Sequence, residues 1–114
     1  MRKYRITKIS EQIKKDLAYL INFKLKDPRI KKIIIIHSII LSKDINFVDI
    51  YWTVINENKK NNIYASILKI ASGYLRYKLA RNIKVYQIPT LRFHYYESIN
   101  NNYKLNKLIN KIII

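Results

Sequence analysis

One glycine, Gly73, serves all 114 residues, and it falls where an amphipathic helix should run unbroken. A chain with so little glycine has almost no residue that takes a left-handed backbone without strain, and it has no glycine-rich phosphate loop of the Walker or dinucleotide type. Around Gly73, Ile63, Ile67, Ile70 and Tyr74, with the neighbouring Ala71, Leu75 and Leu79, keep an i, i+3, i+4 apolar spacing. Glycine inside a helix costs about 1 kcal/mol relative to alanine. Its use there points either to a kink, with a backbone alanine resists, or to a helix-packing contact. With a kink, Gly73→Ala is expected to destabilise the fold. A helix–kink–helix flanked by Lys69, Arg76, Lys78 and Arg81 is a candidate clamp for a phosphate backbone.

Charge arrangement says more than charge abundance. Ile (24), Lys (17), Asn (12) and Tyr (10) make up more than half of the chain. All four have A/T-rich codons, so the lysine count by itself is weak evidence for function. The net charge of +16 still calls for a polyanionic partner, and its distribution is uneven. Residues 1–57 hold 12 basic and 6 acidic residues, whereas residues 58–114 hold 11 basic residues against Glu97 alone. Between Asn58 and Tyr96 no acid occurs, which favours a real anion-binding face around the glycine.

Several function classes are excluded or weakened. The chain has no cysteine, so disulfides, thiolate metal sites and thiol catalysis are absent. No stretch approaches the roughly 18 apolar residues of a membrane span, and the acids Glu11 and Asp16 in the first helix argue against a basic membrane-surface helix. The charged residues from Lys8 to Asp16 likewise rule out a signal peptide, and a cytoplasmic protein is expected. His37 and His94, the only histidines, read as strand residues rather than a metal pair. Asp44 and Asp49 could approach each other across a hairpin, but nothing beside them suggests a catalytic base. Tyr77, Tyr86, Tyr95 and Tyr96 are candidates for base stacking, although packing accounts for most tyrosines in such a composition.

Residues 1–114 suit a single domain, with a core over about 5–97 and a C-terminal loop and short helix over 98–114. Ile6, Ile9, Ile13, Leu17, Leu20 and Ile21 predict a first helix that ends near Leu25, before Asp27-Pro28. Ile33 to Ser42 and Phe47 to Ile55 predict an antiparallel hairpin turned at Lys43-Asp44. The kinked helix pair follows over roughly 63–81. A last strand runs from Pro89 to about Tyr95, with Leu91, Phe93 and Tyr95 on one face and Arg92 and His94 on the other. Leu105, Leu108, Ile109 and Ile112 predict the short C-terminal helix. The order α-β-β-α-kink-α-β predicts an α+β domain with helices packed on one face of a three-stranded sheet.

That order resembles the second type of KH domain, whose usual Gly-x-x-Gly loop clamps a nucleic-acid backbone. Here the position reads Ala71-Ser72-Gly73. An Ala-x-Gly kink in place of the loop is the mark of the ribosome-binding factor A family, and the resemblance extends from Arg5 to Ile109. Ile9-Ser10-Glu11-Gln12-Ile13 with Leu17 is similar to that family's first helix, and Lys26-Asp27-Pro28-Arg29-Ile30 to its helix-ending motif. Ser42-Lys43-Asp44 with Val48 to Thr53 resembles its hairpin, and Pro89-Thr90-Leu91-Arg92-Phe93 with Glu97-Ser98 its final strand. The chain departs from the pattern at Lys31, Ala80 and Tyr96, where the family usually has glycine, glycine and aspartate.

The resemblance implies a non-catalytic assembly factor that binds the free small (30S) ribosomal subunit as a monomer, without metal or nucleotide cofactor. It also implies contact with 16S ribosomal RNA and help in late maturation, including processing of the RNA 5′ end, with a part in cold adaptation. The RNA-binding residues expected from it and from the charge pattern are Lys69, Ser72, Gly73, Arg76, Lys78, Arg81 and Lys84, with Ala71-Ser72-Gly73 as the structural kink. A structural ribosomal protein and a general basic RNA-binding protein are the competing expectations.

Overall fold

The first apolar stripe forms helix α1, Arg2–Tyr19, and runs on into a π-helical turn over Leu20–Lys24. In this computed structural model residues 2–57, 59–83 and 87–97 are described. Lys84, Tyr86 and the expected C-terminal helix lie outside them. Ile9, Ile13, Leu17, Leu20 and Ile21 point into the core. The π turn closes with Leu25 N–H donating to the Leu20 carbonyl at 2.8 Å, five residues back.

Within that turn, Asn22 does the work of a missing strand. Its Nδ2 donates to the carbonyls of Ala18 and Ile34, each at 2.9 Å, and its Oδ1 accepts from Ile34 N–H at 2.9 Å. Ile34 begins β1, Ile34–Leu41, an outer strand whose far side has no partner strand among the described residues. Further along, Lys14 Nζ donates to the His37 carbonyl at 3.0 Å. Side chains of the first helix thus seal an edge that would otherwise invite another strand.

β2, Phe47–Val54, pairs antiparallel with β1 as expected, and β3, Thr90–Tyr95, pairs parallel to β2 in the order β1-β2-β3. His37 occupies a bulge between the pairs Ile36↔Trp52 and Ser38↔Tyr51, and, following the inward Ile34 and Ile36, its ring lies on the sheet's outer face. There Nε2 lies 2.9 Å from Thr53 Oγ1 and the ring meets Tyr96 edge-on. Partial burial, and then Lys14, hold the imidazole pKa below its usual value. Turns form without glycine. Ile45 and Asn56 take φ of 61° and 60°, and around Ile45 the Ser42 hydroxyl accepts from the amides of Asn46 and Phe47 while donating to Asp44 at 2.7 Å. That network offsets the strain of a β-branched residue in the left-handed region. Asp44 is committed there and Asp49 to β3, so the two carboxylates do not form a pair.

The two helices expected on either side of Gly73 are one uninterrupted helix, α2, Asn62–Asn82, capped by Asn61 Oδ1 on the Tyr64 amide. Gly73 keeps a negative φ. Tyr64, Ile67, Leu68, Ala71, Leu75 and Leu79 are buried, a tighter stripe than the sequence suggested. Ile63 and Ile70, expected in the core, are 55% and 79% exposed. The reason is geometric: at 100° per residue, the buried positions centre on the face away from Ile70. The inward residues of β2 (Val48, Ile50, Trp52, Val54) and β3 (Leu91, with Phe93 and Tyr95 half-buried) meet these two helices. The result is the expected α+β, KH type II-like layering, with one face of the sheet left open.

Because an added Cβ at Gly73 would have nothing within 4 Å, the expected destabilisation reverses sign. Gly73→Ala should raise stability by up to about 1 kcal/mol, seen as a higher denaturation midpoint. Asn22→Ala should lower it by about 1–3 kcal/mol, since both polar groups of Ile34 lose their partner. Equal midpoints for Asn22→Ala and the parent would disprove the strand-substitute role.

Candidate nucleic-acid interface

Among the described residues, no strand lies beyond β3 at the edge opposite the sealed one. Thr90 N–H donates to the Asn46 carbonyl and Tyr96 N–H to the Trp52 carbonyl, both at 2.8 Å. By alternation along the strand, the N–H and C=O groups of Leu91, Phe93 and Tyr95 face away from β2. They face a cleft of about 620 Å³ between β3 and α2, lined from the helix by Ala65, Lys69 and Ser72 and from the loop before it by Lys60. Arg92, His94 and Glu97 complete its far wall. Small side chains at 65 and 72 admit a flat ligand close to the helix, and the backbone edge offers donors and acceptors to it. The two lysines supply charge for phosphates.

The residues expected from the sequence divide among three places. Lys69 and Ser72 line the cleft, and the Ser72 hydroxyl donates to the Lys69 carbonyl at 2.9 Å. Gly73 is exposed on the outer surface of α2, so the expected Ala71-Ser72-Gly73 kink is a stretch of regular helix with Ala71 buried in the core. Lys78 and Arg81 line a separate cavity of about 270 Å³ with Asp16, Tyr19 and Lys24 of the first helix and its π turn. Lys78 Nζ also lies 5.8 Å from the Tyr74 ring centre. Lys84 lies outside the described residues.

Arg76, also expected at the RNA, has partners within the fold. Its Nη2 donates to the Ile88 carbonyl at 2.9 Å and its Nε to the Pro89 carbonyl at 3.2 Å, anchoring the segment that leads into β3. A guanidinium in those bonds braces the cleft and keeps three of its five N–H donors. The half-buried position of Arg76 on α2 could not be told from that of its neighbours by charge pattern alone.

Two groups that the charge argument passed over stand at the cleft: Lys60, and the pair Arg92 and His94. The alternation of β3 was the available signal for the pair. Asp49 accepts from Arg92 Nε at 2.9 Å and Nη2 at 3.0 Å, and its Oδ1 lies 2.7 Å from His94 Nε2. Arg76→Gln should lower stability by about 1.5–3 kcal/mol through the two freed carbonyls, whereas Lys69→Gln should stay within about 0.5 kcal/mol of the parent. Thermal or chemical unfolding of both variants checks this, and equal effects would remove the distinction between brace and free cation.

Comparisons with known proteins agree with this architecture. A family model described as ribosome-binding factor A matches residues 5–109. A protein of that name from Hahella chejuensis is 39% identical over 113 residues, covering 94% of this chain and 83% of the relative. One from Legionella pneumophila (strain Paris) is 38% identical over 108 residues, covering 95% and 86%. Among solved structures, the crystal structure of ribosome-binding factor A from Thermus thermophilus superposes with a TM-score of 0.71 at 26% identity, over 82% of this chain and 98% of the other. A homology model of the Thermus thermophilus factor, fitted into a cryo-EM map of a complex with the 30S subunit, gives 0.62 at 27% identity, over 77% and 91%. With its α+β layering, the basic second helix and a family match spanning nearly the whole sequence, this chain belongs to the ribosome-binding factor A family.

Proposed function

We propose that this chain is a non-catalytic assembly factor that binds the free 30S subunit by holding an unpaired segment of 16S ribosomal RNA in the cleft between α2 and β3. The observation that carries the reading is the asymmetry of the sheet: β1 is sealed by Asn22 and Lys14, while β3, beneath a helix with no acid, has no strand beyond it among the described residues. An open strand edge offers a base the same donors and acceptors it would offer a strand, and single-stranded RNA presents base edges that a duplex hides. Lys60 and Lys69 meet the phosphates. The Thermus factor fitted into a 30S complex supports the subunit as the partner. Help in late maturation, including processing of the 16S 5′ end, follows from occupancy of the immature particle.

Gly73 adds a second support. It weakens the helix, yet no neighbouring group in the fold explains it. A bare backbone on the outside of α2 is useful to a partner that must come close. On this reading Gly73 lies against the ribosomal surface, and Lys78 and Arg81 lie on a flanking basic patch.

Sedimentation of the tagged protein in cell lysate tests the function. Co-migration with free small subunits and absence from assembled ribosomes is the expected result. Persistence in translating ribosomes would mark a structural ribosomal protein instead. Lys60→Gln and Lys69→Gln should each weaken binding to single-stranded RNA and flatten the log–log salt slope by roughly 0.7, the effect of one lost phosphate contact. Lys15→Gln, on the exposed side of α1, should do neither. Gly73→Leu should fold normally but bind subunits more weakly. Identical salt slopes on RNA, duplex DNA and the subunit would reduce the protein to a general basic binder.

A further inference from the structure

The face of the sheet away from the helices carries an ordered set of planar groups at β2 and β3. Asp49 stands opposite Arg92, and Tyr51 opposite His94. The Asp49 carboxylate takes two hydrogen bonds from the Arg92 guanidinium and a third contact from His94 Nε2. One acid therefore pins two planar side chains. Pinned in this way, the Arg92 guanidinium lies 4.5 Å from the Phe47 ring centre, and the His94 ring stacks on Tyr51 at 5.1 Å and 27°. Phe47, Arg92 and His94 remain 41%, 49% and 44% exposed. Arg92 uses two of its five N–H donors on Asp49, which leaves three for a ligand.

A pair of cross-strand contacts needs only to hold the sheet together, and Asp49 with Arg92 would do that alone. A guanidinium over one ring and an imidazole stacked on another, both partly exposed, go further. Arg92 and His94 also belong to the wall of the α2/β3 cleft, so the platform and the cleft form one continuous surface that bends over β3. We propose that this platform is a second RNA subsite, on which a strand leaving the cleft crosses β3 and stacks one or two unpaired bases on the Phe47–Arg92 and Tyr51–His94 layers. The proposal rests on the cleft as the primary RNA site. Charge favours RNA over a protein segment: the chain carries +16, and the one carboxylate of the platform is already neutralised by Arg92. Aromatic and guanidinium planes accept any base, so the subsite would lengthen the bound segment without adding strong sequence preference.

Oligouridylates of about four and about twelve nucleotides separate the two sites, the shorter filling the cleft and the longer reaching the platform. Fluorescence anisotropy with the full chain should show Phe47→Leu and Tyr51→Leu weakening the longer RNA about five- to tenfold while leaving the shorter one unchanged. Lys69→Gln should weaken both. Iodouridine-substituted RNA photocrosslinked to the unaltered protein should give adducts at Phe47 or Tyr51, which do not line the cleft, a readout that needs no variant to fold. Parent-like affinity of both leucine variants for the longer RNA, or adducts confined to the cleft, would overturn the platform and leave the cleft standing. Silence of Lys69→Gln on both RNAs would instead count against the cleft. Unchanged RNA affinity with lost subunit co-sedimentation would assign the face to a ribosomal protein and overturn the proposal as well.

Discussion

Trp52, almost wholly buried at the middle of the central strand, fixes what the rest of the molecule must do. With Val48, Ile50 and Val54 it makes one face of β2 continuously apolar, and three strands are too few to bury that face by folding on themselves. Two helices must cover it. α1 and its π turn bring Ile13, Leu17 and Ile21, and α2 brings Leu68, Leu75 and Leu79, all nearly inaccessible to water. Once both helices lie on one side, the other side of the sheet stays open and β3 becomes an outer strand. The cleft and the planar platform both follow from that single asymmetry.

The treatment of the two sheet edges shows how the asymmetry is used. An unpaired edge costs little in water but attracts other strands. On β1 the π turn places Asn22 where its amide matches both polar groups of Ile34, and Lys14 reaches the carbonyl at the bulge. On β3, helix α2 stands off instead of covering the edge, and Arg76 ties the incoming segment so that the gap is kept. An edge sealed on one side, and on the other a gap braced between α2 and β3, is the basis of the proposed RNA cleft.

Glycine usage follows the same logic in reverse. The two left-handed positions of the described chain fall to Ile45 and Asn56, with Ser42 and Asp44 stabilising the first by local hydrogen bonds. The one glycine stands in a helix where alanine would fold better and where nothing in the fold requires it. Its helix weakness therefore has no counterpart in the packing around it, and it supports the proposal that this side of α2 meets a partner.

Periodicity determined most of the fold. Alternation in Thr90–Tyr95, the β-branched and aromatic run of Phe47–Val54 and the 3.6-residue spacing of α1 depend on local geometry, so the hairpin and the faces of the last strand were legible, and the family fragments from Arg5 to Ile109 carried the rest. Local pattern could not decide whether Gly73 bends the chain, because a helical glycine and a kinked one look alike until the space around them is known. It also grouped Lys69, Arg76 and Lys78 by charge, although one lines the cleft, one braces it and one faces the first helix. The Asp49–Arg92 contact joins residues 43 apart in sequence, and the Asn22–Ile34 contact joins a helix turn to a strand. Neither has a signature along the chain. Which side chain reaches which depends on how α1, α2 and the sheet pack together, and only the tertiary structure decided that.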